Sequence, residues 1–271
     1  MSFLDHLEVL RWHLIRSLAS ILVFATVAFI FNDFVFDQII LAPSRSEFIT
    51  YQKLCELSSW LGSDALCIKD LQVEIINRKM IGQFSMHIAS SFVIGLIFAF
   101  PYTFWEIWRF VKPGLYHNEQ RATSGATFFV SLLFGLGVTF GYYIVSPLAV
   151  NFLTTYQVSA SIANTIDLTS YVSTLIMIVL SGGVMFQLPI VTYFVARAGL
   201  VGAEDMRTYR KHAIVVILLI SAVITPPDVV TQVLIAMPVL LLYEMSIMIA
   251  GRVQKRLAKE AEAILGKSVD S

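Results

Sequence analysis

Six long apolar runs constrain this chain more than any other feature of its sequence. They lie at approximately 14–31, 84–105, 122–145, 171–195, 212–224 and 229–250. A run of about 20 apolar residues is long enough to cross the hydrocarbon core of a bilayer as a helix. The composition agrees, because 57% of the residues are hydrophobic and 14% are charged, against about 45–50% and about 25% in soluble domains. The sequence therefore predicts an all-α integral membrane protein whose six transmembrane helices form a single domain, 1–271.

The last two helices are predicted to be short. The residues 213–224, which precede the Pro226-Pro227 pair, rise only about 18 Å as a helix, whereas the hydrocarbon core is about 30 Å thick. Such a segment belongs either to a buried hairpin of a soluble protein or to a membrane hairpin toward which the bilayer thins. The composition favours the membrane hairpin.

Lysine and arginine are unevenly distributed between the two sides of the predicted bundle. Six spans return both termini to one side, and that side holds 14 of the 19 basic residues. The other five all lie in the long loop 32–83. By the positive-inside rule, both termini are therefore predicted to be cytoplasmic. The cytoplasmic side then also receives the loops 106–121 and 196–211 and the tail 251–271, and the external side receives 32–83, 146–170 and 225–228.

The sequence also predicts the structure of the two ends of the chain. The N-terminus has acids and a histidine before the first apolar run, and no small-residue cleavage site follows that run, so we expect the first helix to be retained. The tail 251–271 is predicted to be a frayed, solvated helix.

The two cysteines, Cys55 and Cys67, both lie in the loop 32–83. An external loop permits a disulfide between them, and the alternative is two unpaired thiols. The sequence leaves both open.

Residue patterns for catalysis are missing from the sequence. The five histidines are scattered, and there is no HExxH, GxSxG or Walker motif. A formal net charge of +0 also excludes nucleic-acid binding by bulk basicity. We therefore predict that the chain is not an enzyme and has no metal site and no cofactor. Any work that it supports must come from a partner or from the transmembrane potential.

Four polar residues could meet a ligand or a partner. Glu244 lies in the sixth run and Gln187 lies before Pro189 in the fourth. Each either faces a wet cavity or has a structural role, at the interface for Glu244 and in an interhelical hydrogen bond for Gln187. Glu8 and Glu119 lie on the predicted cytoplasmic face, where acids are usually solvated, and a functional interpretation requires a ligand with guanidinium groups.

Five pieces of the sequence, in chain order, carry a resemblance to a known family. They are HLEVLR (6–11), FVKPGLYHNEQR (110–121), SPLAVNFL (146–153), FQLP (186–189) and ITPPDVVTQVLIAMPVLLLYE (224–244). In this order they resemble the TatC subunit family of the twin-arginine protein translocase. The resemblance implies a six-helix receptor of the bacterial cytoplasmic (inner) membrane that binds the twin-arginine signal peptides of folded precursor proteins. It also implies self-association, assembly with small single-span TatA/TatB-type subunits, and translocation driven by the proton-motive force.

The resemblance assigns roles position by position. Glu119 matches the family's loop glutamate that meets the twin arginines. The other matches are Phe110 and Pro113, which shape the loop, Arg11 of the N-terminal motif, Pro43 of the first external loop and Asp228 of the last external turn.

The sequence departs from the family pattern at two positions. The family motif HLxELR has a glutamate where Val9 stands, and Glu8 precedes it by one residue, a rotation of about 100° on a helix. Whether Glu8 takes over the role of that acceptor is open. The fourth helix commonly carries a glutamate at the position of Gln187, so polarity is kept there while charge is lost.

Two other functions are weighed against the receptor. One is a proton-coupled carrier of a small solute with Glu244 as its proton site, although the chain shows no paired discontinuous helices. The other is an intramembrane enzyme, although no paired aspartates or Ser/His dyad occur at membrane depth. For the receptor, we hypothesise that thinning of the bilayer beside the short fifth helix helps a folded cargo to cross.

Overall fold

The computed structural model is largely helical and describes residues 3–60, 67, 74–111, 125–159, 164–224 and 229–269. The chain divides into two units, Met1–Gly183 and Val184–Ser271. Each unit is considered by itself below. The single six-helix domain stays a prediction.

Unit 1 contains the longer connections. Its α-helices are α1 (Phe3–Ile30), α2 (Asn32–Phe34), α3 (Ile49–Trp60), α4 (Gly82–Val111), α5 (Ala126–Phe140), α6 (Ser146–Thr155) and α7 (Leu168–Met185). The segments Val35–Ile40 and Gly141–Val145 are π-helical, and Ala42–Ser44 is a 3-10 turn. Two short strands, β1 (Ile75–Ile76) and β2 (Ile166–Asp167), pair in parallel.

Unit 2 consists of four further helices in its described residues. They are α8 (Leu188–Arg197), α9 (Ala203–Thr208), α10 (Arg210–Ile224) and α11 (Val229–Val269). α11 packs against α8, α9 and α10.

Five helical stretches in the described residues are long and apolar enough to cross a membrane. They are Glu8–Ile30, Gly82–Val111, Thr127–Thr155, Leu168–Arg197 and Ile235–Arg256. The chain is therefore a multi-pass membrane protein, as its composition predicts. α10 has 15 residues, which rise about 22 Å, so the fifth helix is short as predicted. The prediction of a short last helix is wrong, because α11 has 41 residues and continues past its apolar stretch. The membrane crossing of α10, and with it the six-span topology and the side of the termini, stay predictions.

α1 and α4 form an antiparallel pair along most of their length. A Cβ atom on Gly95 of α4 would lie 2.6 Å from the Ala25 nitrogen of α1, so the two backbones approach closely at that point. Farther along, the ring of His87 stacks on Phe29 at a centroid distance of 3.9 Å. Glycine at position 95 permits this approach because it has no side chain.

The backbones of α5 and α7 also approach each other closely, at glycines of both helices. A Cβ atom on Gly137 would overlap the carbonyl oxygen of Gly182. Beside this crossing, Val172, Leu175 and Val179 of α7 belong to the buried core of unit 1. Ala28 of α1 and Val150 of α6 belong to the same core.

The connections at the other end of unit 1 are tied together covalently and by hydrogen bonds. Cys55 and Cys67 form a disulfide with a Cα–Cα distance of 4.2 Å, so the first of the two alternatives for the cysteines is the one observed. The Arg78 Nη2 atom donates a hydrogen bond of 2.7 Å to Thr165 Oγ1, beside the β1–β2 pair. The strand pair and the Arg78–Thr165 hydrogen bond join the segment before α4 to the segment before α7.

Several predicted helix boundaries are wrong. α4 continues to Val111 instead of ending at 105, because no glycine or proline lies between 105 and Pro113. The third stretch continues to Thr155, since Pro147 falls in the first turn of α6, where its missing N–H is tolerated. The fourth is interrupted between α7 and α8, next to Pro189.

The expectation of a frayed, solvated tail is wrong for its first turn. α11 runs without interruption to Val269, and Val253 is buried. The Gln254 Oε1 atom accepts a hydrogen bond of 3.1 Å from the Ala203 N–H at the start of α9. Burial of Val253 and this contact to a helix N-terminus hold the helix beyond the predicted span.

Candidate functional site

A buried carboxylate joins the beginning of α1 to the end of α4. Glu106 of α4 is only 1% exposed, and its Oε2 atom is hydrogen-bonded to His13 Nδ1 of α1. The Tyr102 hydroxyl donates a 3.0 Å hydrogen bond to Glu106 Oε1. The His13 ring lies 6.1 Å from the Phe110 ring, between centroids. We call His13, Tyr102, Glu106 and Phe110 the His13–Glu106 cluster.

The cluster satisfies a group that is costly to bury alone. An acid within an apolar helix requires hydrogen-bond partners or an opposite charge. Tyr102 lies four residues before Glu106 and therefore on the same face of α4, while His13 reaches it from α1. The cluster thus fixes the two helix ends to each other and positions Phe110 in the last turn of α4.

Sequence reasoning missed His13, Tyr102 and Glu106. From the sequence alone, His13 is one of five scattered histidines and Glu106 falls in the predicted loop 106–121. The available signal is that one ionisable residue directly precedes the first apolar run and another directly follows the second, and an antiparallel pair of helices brings these two ends together.

Glu8 and Arg11 lie near the same end of α1 and are solvent-exposed. Their side chains are 69% and 64% exposed, and Arg11 Nη2 lies 4.0 Å from Glu8 Oε1. The Arg11 guanidinium also lies over the Trp12 ring, 5.7 Å from its centroid. An exposed pair at this distance contributes little, so the Glu8 carboxylate remains accessible to a cationic ligand.

Val9 stands where the family motif has a glutamate, and its place on α1 accounts for this difference. It lies four residues before His13 and therefore on the same face of α1. An acid at position 9 would lie on the face that already carries the contact to Glu106. Valine avoids a second carboxylate there, and Glu8 is rotated away from that face.

Three predicted site residues lie outside the described residues. They are Pro113 and Glu119, in the segment that follows α4, and Asp228, in the segment between α10 and α11. Their roles stay predictions.

Pro43 lies at the opposite end of unit 1 and is buried. The hydroxyl of Tyr51 in α3 lies 2.9 Å from the Pro43 carbonyl oxygen and 2.7 Å from that of Pro147. Burial raises the pKa of Tyr51 well above its usual range, and the neighbouring Tyr171 acts in the same direction. Tyr51, which the sequence does not single out, therefore joins the Pro43 turn to the start of α6 through a protonated hydroxyl.

Gln187 and Glu244 belong to unit 2 and have different surroundings. Gln187 is half-buried at the N-cap of α8. Its backbone carbonyl oxygen accepts 3.0 Å hydrogen bonds from the N–H groups of Ile190 and Val191. Glu244 Oε2 accepts a 2.7 Å hydrogen bond from Arg210 Nη2, and its side chain is 46% exposed. Glu244 is thus paired with a permanent cation at the start of α10.

Within the part of the chain that the structure describes, no group of three or more His, Cys, Asp or Glu side chains could hold a metal ion.

The family comparison covers most of the chain. Residues 5–238 match the model of the TatC family, the Sec-independent protein translocase protein. The Sec-independent protein translocase protein TatC of Blattabacterium sp. subsp. Periplaneta americana (strain BPLAN) is 34% identical over 258 residues, covering 94% of this chain and 97% of the relative. TatC of Aquifex aeolicus (strain VF5) is also 34% identical, over 263 residues, covering 97% of this chain and 99% of the relative.

Two solved structures have the same fold. The crystal structure of the twin-arginine translocase receptor TatC in DDM superposes with a TM-score of 0.70 at 34% identity, covering 90% of this chain and 99% of that one. A second crystal structure of the twin-arginine translocase receptor TatC gives a TM-score of 0.66 at 33% identity, covering 92% and 99%. These proteins are translocase subunits, which confirms the prediction that the chain is not an enzyme. The chain belongs to the TatC family of Sec-independent protein translocase proteins.

Proposed function

We propose that this protein is the receptor subunit that binds the twin-arginine signal peptides of folded precursor proteins, at the end of unit 1 where α1 begins and α4 ends. The observation that carries the proposal is the His13–Glu106 cluster. It fixes the helix end from which the segment with Pro113 and Glu119 continues. The description of the two similar structures as receptors supports the same function.

The proposed acceptors are Glu119 and Glu8. A guanidinium group donates two parallel hydrogen bonds to a carboxylate, a geometry that an ammonium group does not reproduce. The exposed Glu8 can exchange its weak contact with Arg11 for a ligand arginine. Glu106 is buried and already has two partners, so its role is to hold Phe110 and the end of α4 in position.

The remaining residues have proposed roles in assembly. The protein associates with copies of itself and with small single-span TatA/TatB-type subunits in the bacterial cytoplasmic (inner) membrane, with both termini cytoplasmic. Pro43 and Asp228 act on the external side, and Gln187 and Glu244 are polar groups at membrane depth. The proton-motive force drives translocation, as the family resemblance implies; the sequence itself carries no nucleotide-binding motif.

The carrier alternative is less well supported. Its proton site would be Glu244, but the Glu244 carboxylate already accepts a hydrogen bond from the Arg210 guanidinium. Membership of a translocase family also disfavours a small-solute carrier.

Peptide binding to the purified full-length protein in detergent tests the receptor function. The probes are a signal peptide with Arg-Arg and the same peptide with Lys-Lys. We expect the Arg-Arg peptide to bind about 10-fold more tightly or better, because hydrogen bonds to charged groups are each worth about 1.5–3 kcal/mol. Glu119→Ala should remove this preference.

Glu47→Ala provides a matched control, because Glu47 is an exposed acid in the segment before α3. It should leave the Arg-Arg preference unchanged. Equal binding of both peptides to the unmodified protein, or an undiminished preference in Glu119→Ala, would contradict the proposal.

A further inference from the structure

One face of α11 continues from the apolar part of the helix into the part that follows residue 250. It carries Leu241, Met245, Met248, Arg252 and Lys255, and the helical spacing continues it to position 259, a lysine; we call these six positions the α11 stripe. Their spacing alternates between four and three residues, which keeps them on one face of a helix. Leu241, Met245 and Met248 are 62%, 47% and 55% exposed. The apolar half of the stripe therefore passes directly into a basic half.

The opposite face of α11 is packed. Ala250 and Val253 are buried with Ala203 and Met206 of α9. Gln254, next to Val253, accepts the hydrogen bond from the Ala203 N–H. These contacts set the rotation of α11 about its axis. The exposed Arg252 and Lys255 therefore lie on the side of α11 that faces away from α9.

The depth of the basic half matches the surface of a bilayer. The stretch of α11 that is long and apolar enough to span a membrane, Ile235–Arg256, ends among these basic residues. Seven residues separate Arg252 from Lys259, a rise of about 10 Å, and this is close to the Debye length of about 8 Å at physiological ionic strength. Apolar side chains would meet the acyl chains, and the exposed side chains of Arg252 and Lys255 would lie at the level of the headgroups.

We infer that the α11 stripe binds the headgroup of an anionic phospholipid. The ligand class is a phosphodiester lipid with a net negative charge, whose acyl chains lie along the apolar half of the stripe. Basic residues at the cytoplasmic end of a membrane-spanning helix attract anionic headgroups. In the cell, the inference rests on the cytoplasmic orientation of the termini given under Proposed function.

Lipid titration of the full-length protein in detergent tests the inference. The probes are phosphatidylglycerol and phosphatidylcholine, with bound lipid counted by native mass spectrometry. We expect phosphatidylglycerol to be preferred by the unmodified protein. The triple variant Arg252→Gln, Lys255→Gln, Lys259→Gln should lose the preference, at about 5-fold in affinity for each residue.

A second triple variant controls for net charge. Lys53→Gln, Lys69→Gln and Lys79→Gln remove the same number of positive charges from the segment between α1 and α4, and should leave the preference unchanged. Each single substitution in the stripe should weaken binding about 5-fold, which keeps the test open if the triple variant does not fold.

An unchanged preference in the stripe variants would overturn the inference, and the stripe would then be free for an acidic protein segment. Loss of the preference in both triple variants to the same extent would overturn it as well, because the effect would follow net charge alone. The Arg-Arg peptide assay on the stripe variant separates this outcome from failure of the receptor function, since the stripe should not affect peptide binding.

Discussion

His13 of α1 and Glu106 of α4, 93 residues apart in the sequence, form a hydrogen-bonded pair between the two helices. The pair explains how α4 carries an acid directly after its predicted apolar run, which ends at 105, and continues to Val111. It also places a polar fixed point at the helix ends, close to the exposed Glu8 and Arg11. For the proposed signal-peptide receptor, this fixed contact means that less of the chain must become ordered when a peptide binds, which favours affinity.

We predict that His13 and Glu106 stabilise the folded protein as a pair. The single variants His13→Ala and Glu106→Ala and the double variant form a thermodynamic cycle, measured by unfolding in detergent. The expected coupling is about 0.6–1.7 kcal/mol, the range of hydrogen bonds between helices in membrane proteins. Each single variant should also lower Tm, by about 2–4 °C for each kcal/mol lost.

Glu8 and Arg11 provide the control cycle on the same helix. Their side chains are exposed and 4.0 Å apart, so their coupling should be close to zero. If the His13 and Glu106 cycle gave no more coupling than this control, the pair would not have the role that we assign to it.

The sequence predicts the helical membrane fold well, because lack of charge over about 20 residues is a strong signal. It predicts helix ends poorly. Pro147 would be expected to break the third stretch but falls in the first turn of α6. Val253 and Gln254 follow the apolar run and still pack against α9, an interaction that depends on tertiary contacts alone.

The site is only partly predictable for a related reason. Glu8, Arg11 and Phe110 are found by their place in family motifs, and the structure brings Phe110 into the His13–Glu106 cluster. His13, Tyr102 and Tyr51 belong to no motif. Each acts through a contact with a residue distant in sequence or one helical turn away, and a single sequence shows no such pairing.

The crossing of α5 and α7 should not tolerate a side chain at position 137. A Cβ atom on Gly137 would overlap the Gly182 carbonyl oxygen, so Gly137→Ala forces the helices apart. We expect a loss of about 1–3 kcal/mol in the free energy of unfolding, which is typical of overpacking. Thermal unfolding in detergent measures it.

Gly135→Ala is the matched control, two residues earlier on the same helix. A Cβ atom there would meet nothing within 4 Å, and alanine is favoured over glycine in a helix by up to about 1 kcal/mol. This variant should be as stable as the unmodified protein or more so. Equal destabilisation by both substitutions would show that the crossing is not the cause.

The short α10 gives a prediction about transport. Insertion of four apolar residues within α10 adds about 6 Å and brings the helix to about 28 Å, near the thickness of an unperturbed bilayer. If bilayer thinning beside α10 helps a folded cargo to cross, export of a folded reporter should fall while the partner subunits still assemble. Replacement of four α10 residues without a change in length is the control. Unchanged export in the lengthened variant, with normal assembly, would refute the thinning hypothesis.

Tyr51 should make the protein sensitive to alkaline pH. Its buried hydroxyl lies between the carbonyl oxygens of Pro43 and Pro147, and burial raises its pKa. The unfolded chain releases this proton near pH 10, whereas the folded protein keeps it to higher pH. Above about pH 10 the folded state therefore binds more protons than the unfolded state, and stability falls as pH rises.

Tyr51→Phe separates this effect from other alkaline damage. At pH 8 the variant should be less stable by about 0.5–1.5 kcal/mol, the usual value of one hydrogen bond. Because phenylalanine does not ionise, the difference in Tm between the two proteins should shrink as the pH is raised from 8 to 11. A difference that is independent of pH would show that the Tyr51 hydroxyl ionises alike in the folded and unfolded states, and the proposed link between the Pro43 turn and α6 would lose its support.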